Sequence, residues 1–352
     1  MQSVGSYAED LTASQFDVRE TVNMEDVTTP QISCVSLGMV ILDEIRMPNH
    51  PPLLNVIGGS STFVTLGLRL FATDSLTPGC LVLAGNDLPS PIREKMLRWH
   101  MQHLVVLTSP NQPSSRGLLE YADSTFGPKT FEYTTAPLRA TPDRLAGTRL
   151  LTARAFHFFG TPDEIMVQVP LLLSLRQKEH AELPPPLIVW EPIPHSCTPG
   201  NRAAFQDACK LVDVFSPNHL ELAALFADDD EEQQHANETL LASLERLGNV
   251  LVDAGVGPAG TGTVVVRAGA DGALALQRDT PCVRVPAYYA PGAEKVVDPT
   301  GAGNAFLGGY VMGFLQEGGV REALCYGAVA ASFALEQIGL PGCEVVDGEG
   351  WE

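Results

Sequence analysis

Apolar residues along this chain fall into short uninterrupted runs, rich in β-branched and aromatic side chains. Between those runs, apolar residues recur at helical spacing. Ile32–Leu42, Leu81–Gly85, Ala155–Phe159, Leu187–Trp190, Val212–Phe215 and Thr263–Val266 read as strands. Helical spacing is found over Gly58–Leu70, Ile92–Met101, Ile165–Arg176 and Arg202–Lys210, from Asn218 onward, and over 303–316 and 320–335. Short buried runs alternating with helices predict an α/β fold whose mainly parallel sheet is covered on both faces. The rhythm breaks between 115 and 135, where Gly117–Tyr121 and Thr130–Tyr133 alternate like hairpin strands and predict a small sheet beside the main one. Residues 1–30 are rich in Ser, Thr, Asp and Glu without a period. They are expected to be a flexible extension, with 31–352 as the folded domain.

Composition narrows the function classes. Of 352 residues, 45% are hydrophobic and 18% charged, which suits a buried globular core. Forty-two acids against 22 bases give a net charge of −20, and such a chain is repelled by nucleic acid and by anionic membranes. Seven cysteines, an odd number and none in C-x-x-C spacing, predict reduced thiols rather than disulfides or a zinc site. No apolar run of spanning length and no secretory leader are found, so a cytoplasmic location is expected. Asp228–Glu232 reads as a solvated charge run, with a metal or basic-partner site as its alternative. Neither a Gly-x-Ser-x-Gly elbow nor a His-Glu-x-x-His pair is present.

The chemistry concentrates in Val296-Val297-Asp298-Pro299-Thr300-Gly301-Ala302-Gly303-Asn304-Ala305-Phe306. A short apolar segment enters a turn of small residues, and a helix follows. Glycines at 301 and 303 let main-chain N–H groups face one concavity, and the helix N-terminus adds partial positive charge. Such a hole suits a phosphate oxygen during transfer, although a Gly-Ala-Gly turn alone also serves plain packing. Upstream, Pro217-Asn218-His219-Leu220-Glu221 reads either as a helix cap with Glu three residues on or as part of a phosphate site. Val265–Ala273, with Arg267, Gly269 and Gly272, reads as strand-turn-strand.

Taken in order, these stretches resemble the PfkB (ribokinase-like) family of small-molecule kinases. The glycine turn is similar to that family's Asp-Thr-x-Gly-Ala-Gly-Asp signature, Asn218 and Glu221 to its Pro-Asn-x-x-Glu element, and Gly58-Gly59 to its substrate turn. Gly38 with Asp43 looks like its first strand. The stretches Gly58–Phe63, Val189–Pro192 and Phe215–Asn218 look most like the fungal maintenance-of-killer-type branch. The resemblance implies a three-layer α/β/α sandwich with a small β lid built from segments near 38–57 and 115–135. It implies ATP along Arg267, Gly269, Gly272 and Gly327, with phosphates reaching Gly301, Ala302 and Gly303. It implies Mg²⁺ held mainly by phosphates and waters near Asn218 and Glu221, a small-molecule substrate at Asp43, Gly58 and Gly59, and a homodimer through the lid.

Two departures bear on mechanism. Phe63 stands where ribokinase-type members place Asn. Asn304 stands where the family has its catalytic Asp, and a carboxamide has no basic lone pair near neutral pH. Three readings stay open. The first is a kinase whose acceptor needs no general base, or whose base is Asp298 or Asp43. The second is a pseudokinase that binds nucleotide and regulates a partner. The third is a lyase or cyclase that uses the anion hole.

Overall fold

The computed structural model describes residues 18–22, 30–99, 101, 103–123, 129–227 and 238–341. Its strands are β1 Val18–Val22, β2 Gln31–Leu37, β3 Ile41–Arg46, β4 Leu53–Gly58, β5 Leu76–Ala84, β6 His103–Thr108, β7 Arg116–Tyr121 and β8 Lys129–Tyr133. They continue with β9 Ala155–Gly160, β10 Leu187–Pro192, β11 Val214–Phe215, β12 Thr263–Arg267, β13 Ala273–Gln277 and β14 Val283–Val285. The main sheet runs β1-β6-β5-β2-β9-β10-β11-β12-β13-β14, and β6 through β12 in that order are parallel. β1, β13 and β14 add antiparallel edges. This is the ribokinase-like α/β architecture.

Side-chain alternation along the strands splits the core in two. Cys34, Ala155, Val189, Val214 and Val265 face the helices Ser60–Arg69, Ala302–Glu317 and Val320–Leu335. Phe156, Ile188, Trp190, Phe215, Val264 and Val266 face the helices Pro162–Glu179, Arg202–Cys209, His219–Ala224 and Leu240–Ala254. Trp190 stacks on Phe205 at 5.1 Å between ring centroids, so it is core. The first helix meets Ala302–Glu317 closely because Gly67 and Gly308 lack side chains. A Cβ at either would lie 2.1 Å from a backbone oxygen of the other helix.

A second sheet, β4-β3-β7-β8, stands apart from the first and is assembled from 41–58 and 116–133. The run 32–42 predicted as one strand is two, because the chain turns between Leu37 and Ile41 and changes sheets. Gly38 permits the turn, since a Cβ there would lie 2.3 Å from Ser60 Oγ. The helix expected over 92–101 is Ser90–Leu97, with prolines at 89 and 91 setting its start. Most of the extension 1–30 lies outside the described residues, while Val18–Val22 within it pairs antiparallel with β6. The acidic run at 228–232 also lies outside them.

The sheet changes winding direction between β2, which leads to β5 on one side, and β9 on the other. In such sheets ligands bind in the crevice beyond the carboxyl ends of the strands. The ends of β10, β11 and β12 therefore deliver Glu191, Ser216–Asn218 and Arg267 to one place.

Candidate functional site

Gly301 adopts φ +80° and starts the sixteen-residue helix Ala302–Glu317. That left-handed conformation admits glycine readily. The ring of Phe63, 2% exposed, lies 2.5 Å from where a Cβ of Gly301 would stand. Phe63 thus supports the turn from below. Upstream, Asp298 is 1% exposed and its Oδ1 accepts from Thr300 N–H at 2.9 Å and Thr300 Oγ1 at 2.7 Å. Ala302 N–H donates to Pro299 O at 3.3 Å. The N–H groups of Gly303 and Asn304 have no acceptor among the described residues, as expected for first-turn donors that await an anion.

Asn304 is half-buried, and its Nδ2 donates to Glu191 Oε2 at 2.6 Å. Glu191 is 4% exposed and is the hub of the site. Its Oε1 lies 2.6 Å from Arg267 Nη1, and its Oε2 lies 3.2 Å from His157 Nε2. His157 Nδ1 meets Ser36 Oγ at 2.9 Å, so the histidine is a satisfied core residue. Burial alone would raise the Glu191 carboxyl, yet Arg267, His157 and Asn304 together hold it below the ordinary carboxylate range. The ionised hub fixes the amide's orientation, because Asn304 can only donate toward it.

Arg267 is 8% exposed. Besides Glu191, its Nη2 donates to Ser216 O at 3.0 Å and lies 3.6 Å from Glu221 Oε2. Its Nη1 is 2.4 Å from where a Cβ of Gly303 would be, so the guanidinium presses against the glycine turn. Asn218 and Glu221 form a reciprocal cap. Asn218 Oδ1 accepts from Leu220 and Glu221 N–H, each at 2.9 Å, and Glu221 Oε2 accepts from Asn218 N–H at 2.7 Å. Such a cap is worth about 1 kcal/mol.

The two side chains near which the resemblance implies magnesium are engaged with each other, which leaves room for an ion held by phosphates and waters beside them rather than by direct ligation. The Asn218 oxygen is spent on the cap. Glu221 has a guanidinium beside it, and burial raises its carboxyl to about 7. Hard divalent ions want ionised, uncommitted oxygens. No cluster of three or more His, Cys, Asp or Glu with metal-holding geometry occurs among the described residues.

The lid contributes a second cluster. Asp43 lies opposite Gly117 on the paired strand. Cβ atoms at Gly58 and Gly117 would stand 2.1 Å and 2.6 Å from its carboxylate oxygens. Asp43 is 8% exposed, its Oδ1 lacks a partner among the described residues, and burial raises its carboxyl from 3.8 to about 7. Gly59, at φ +95°, caps the neighbouring helix. Tyr121 OH donates to Asp298 Oδ1 at 2.8 Å, and Lys129 Nζ donates to Thr300 Oγ1, so the lid is tied to the glycine turn. Burial lowers Lys129.

Folded protein retains on Asp43 a proton that the unfolded chain releases near pH 4. Stability owed to this group is therefore complete below about pH 4 and is lost as pH rises through about 7. Asp43→Asn is expected to gain roughly 2–4 kcal/mol over the parent at pH 8 and little at pH 4. Denaturant melts at both pH values check this, and equal gains at both would contradict it.

The structure thus joins Asn304, Gly301, Ala302, Gly303, Arg267, Asn218 and Glu221 at one end of the sheet, and Asp43, Gly58 and Gly59 at the lid. Asp298 links the two through Tyr121. Gly269, at φ +60°, and Gly272, at φ +87°, form the β12–β13 turn beside His219. Gly327 lies against the Phe306 ring, where a Cβ would stand 2.8 Å from it. The sequence reading missed Glu191 as hub. The available signal was a lone carboxylate closing the apolar strand Leu187–Pro192. Tyr121 and Lys129 carried no signal short of the fold.

Comparison with known proteins bears on the family and the fold. The pfkB family carbohydrate kinase profile matches residues 191–345. An uncharacterized protein of Schizosaccharomyces pombe is 31% identical over 332 residues, 90% of this chain and 88% of that one. Protein MAK32 of Saccharomyces cerevisiae is 25% identical over 335 residues, covering 91% and 89%. Among solved structures, a putative ribokinase II from E. coli superposes with a TM-score of 0.63 at 17% identity, covering 88% of this chain and 94% of that one. Its complex with ATP and Mg²⁺ gives a TM-score of 0.60 over the same shares.

Proposed function

Because the chain belongs to the PfkB family of carbohydrate kinases, we propose that it transfers the terminal phosphoryl group of ATP to a small-molecule acceptor lying between Asp43 and Asn304. The observation that carries this reading is the pair of unspent N–H groups at Gly303 and Asn304, at the electropositive end of a long helix. They are donors aimed where negative charge builds up on the transferring group, and in phosphoryl transfer such positioning does most of the work. In this reading the nucleotide lies along the Gly269–Gly272 turn and its phosphates reach Gly301, Ala302 and Gly303. ATP supplies the phosphoryl group, and the E. coli ribokinase II complex named above supports ATP as a ligand of this fold.

Asn304 holds the acceptor in line and does not deprotonate it. Its Nδ2 is tied to Glu191, and Glu191 is kept ionised and fully engaged, so it is a poor base. An acceptor oxygen already ionised, a carboxylate or phosphate, needs neither. Asp43, a buried carboxyl with a bare oxygen, supports a contact with a substrate hydroxyl. Leu54, 63% exposed on the lid's edge strand, supports docking of a second copy there. No helix among the described residues is long and apolar enough to cross a membrane.

The test is ADP release from purified protein with ATP and a panel of alcohols, carboxylates and phosphate esters. Turnover is expected to rise at least about tenfold with an ionised acceptor over its alcohol counterpart. A panel in which nothing stimulates ADP release would sink the reading. A second reading, a silent nucleotide-binding protein that regulates a partner, is supported by the same Asn304–Glu191 tie. It predicts saturable nucleotide binding without turnover.

A further inference from the structure

We propose that the outward face of the helix Pro162–Glu179 is a docking surface for a second copy of this chain, with the two helices lying antiparallel across a two-fold axis. The helix buries Ile165, Val169, Leu172 and Arg176 on its inner side. A helix that meets only water on its other side is polar there. This one instead shows Met166, Val167, Pro170, Leu171 and Leu173, all exposed, with Val167 at 67% and Met166 at 46%. Spaced three and four residues apart, Met166, Val167, Pro170 and Leu171 form a continuous stripe along a helix about 27 Å long. A helix that is apolar all round is ordinarily covered on both sides. Removing such a stripe from water drives association.

Charge indicates what covers it. Asp163 stands at the amino end of the stripe and Lys178 at its carboxyl end, on the same side of the helix as Val167, Pro170 and Ser174, and both are exposed. Neither has an ion-pair partner among the described residues. The other two acids of the helix lie off the stripe and are engaged. Glu164 meets Arg139 at 3.0 Å, and Glu179 Oε2 accepts from Gly147 N–H at 2.9 Å. The stripe is therefore locally neutral in a chain of net charge −20.

A two-fold axis between Pro170 and Leu171 sets each Asp163 opposite Lys178 of the partner subunit and brings the apolar stripes together. Antiparallel helices also oppose their dipoles favourably. A parallel copy would set acid against acid and base against base. Two-fold interfaces require a self-complementary patch, and this face is one. The helix covers the side of the main sheet opposite Ser60–Arg69 and Ala302–Glu317, so the contact is separate from any pairing at Leu54 on the lid and does not depend on the kinase reading. A single helix pair is smaller than the roughly 1,200–2,000 Å² of a standard interface, so the dimer is expected to be weak, with a dissociation constant on the order of 1–100 μM.

Sedimentation velocity of the full chain over that concentration range tests the proposal. Reversible dimerisation is expected. Asp163→Lys and Lys178→Asp, each of which opposes like charges at both ends of the contact, are each expected to weaken it at least about tenfold. The combined swap, Asp163→Lys with Lys178→Asp, restores opposite charges and is expected to return to within about threefold of the parent. Val167→Glu is expected to weaken it at least about tenfold as well. All four positions changed are exposed or become exposed charges, and thermal melting checks that every variant is folded. The same series made with Leu54→Glu separates this contact from one at the lid. A parent that stays monomeric throughout, or a dimer that Leu54→Glu dissolves and the helix variants leave intact, overturns the inference. So does a combined swap no tighter than either single reversal.

Discussion

Arg267→Met is expected to lower the unfolding free energy by about 3–5 kcal/mol, and adding Glu191→Gln is expected to recover most of that loss. The reason is desolvation. Glu191 is 4% exposed and its Oε1 depends on Arg267 at 2.6 Å. Removing the guanidinium leaves an ionised carboxylate in the core with only His157 and Asn304 as partners. Neutralising Glu191 removes the stranded charge, and glutamine still meets both. Replacing a buried ion pair as a unit is commonly near neutral, whereas breaking one side is not. Denaturant unfolding of the parent, both single variants and the double variant measures the coupling. Equal destabilisation of Arg267→Met and the double variant would refute the charge argument.

Asn304→Asp alone is expected to give no gain with alcohol acceptors, whereas Asn304→Asp with Glu191→Gln is expected to gain about 10²–10⁴-fold in kcat/KM. The single change puts two carboxylates in the 2.6 Å contact now made by amide and carboxylate. One must hold a proton, so the new group is not an effective base near neutral pH. The paired change exchanges carboxylate and carboxamide. It keeps the hydrogen bond and the net charge but moves the base to the acceptor's side, and Arg267 keeps Ser216 and Glu221. The same exchange is expected to penalise ionised acceptors, which position 304 would then repel. Steady-state rates on both acceptor classes decide it. A single variant as active on alcohols as the paired one would contradict the role given to Glu191.

How much was readable in the sequence follows from which interactions are local. The glycine turn, the Asn218–Glu221 cap and the β-then-α rhythm depend on neighbours within a few residues, so spacing reveals them. The change of sheet at Gly38 is invisible in the pattern, because Ile32–Leu37 and Ile41–Leu42 are both apolar runs and only the packing of Gly38 on Ser60 separates them. β4 and β6 were missed for a similar reason: β4 is half exposed on a lid edge, and β6 is a short run after a helix. Phe63 looked like a substrate-side departure, but its ring is a support for Gly301 from a helix far upstream. Arg267 reads as a nucleotide contact on a turn, and only the fold shows that its partners Glu191 and Glu221 come from the end of β10 and from the helix His219–Ala224. Charge partners distant in sequence leave no periodicity.

The most direct measurement is amide hydrogen exchange at Gly303 and Asn304 during an ATP titration, read residue by residue by NMR. The account predicts that both amides exchange at least about tenfold more slowly at saturation, with midpoints matching the dissociation constant. Saturable ATP binding that leaves both amides exchanging as in the free protein would contradict it.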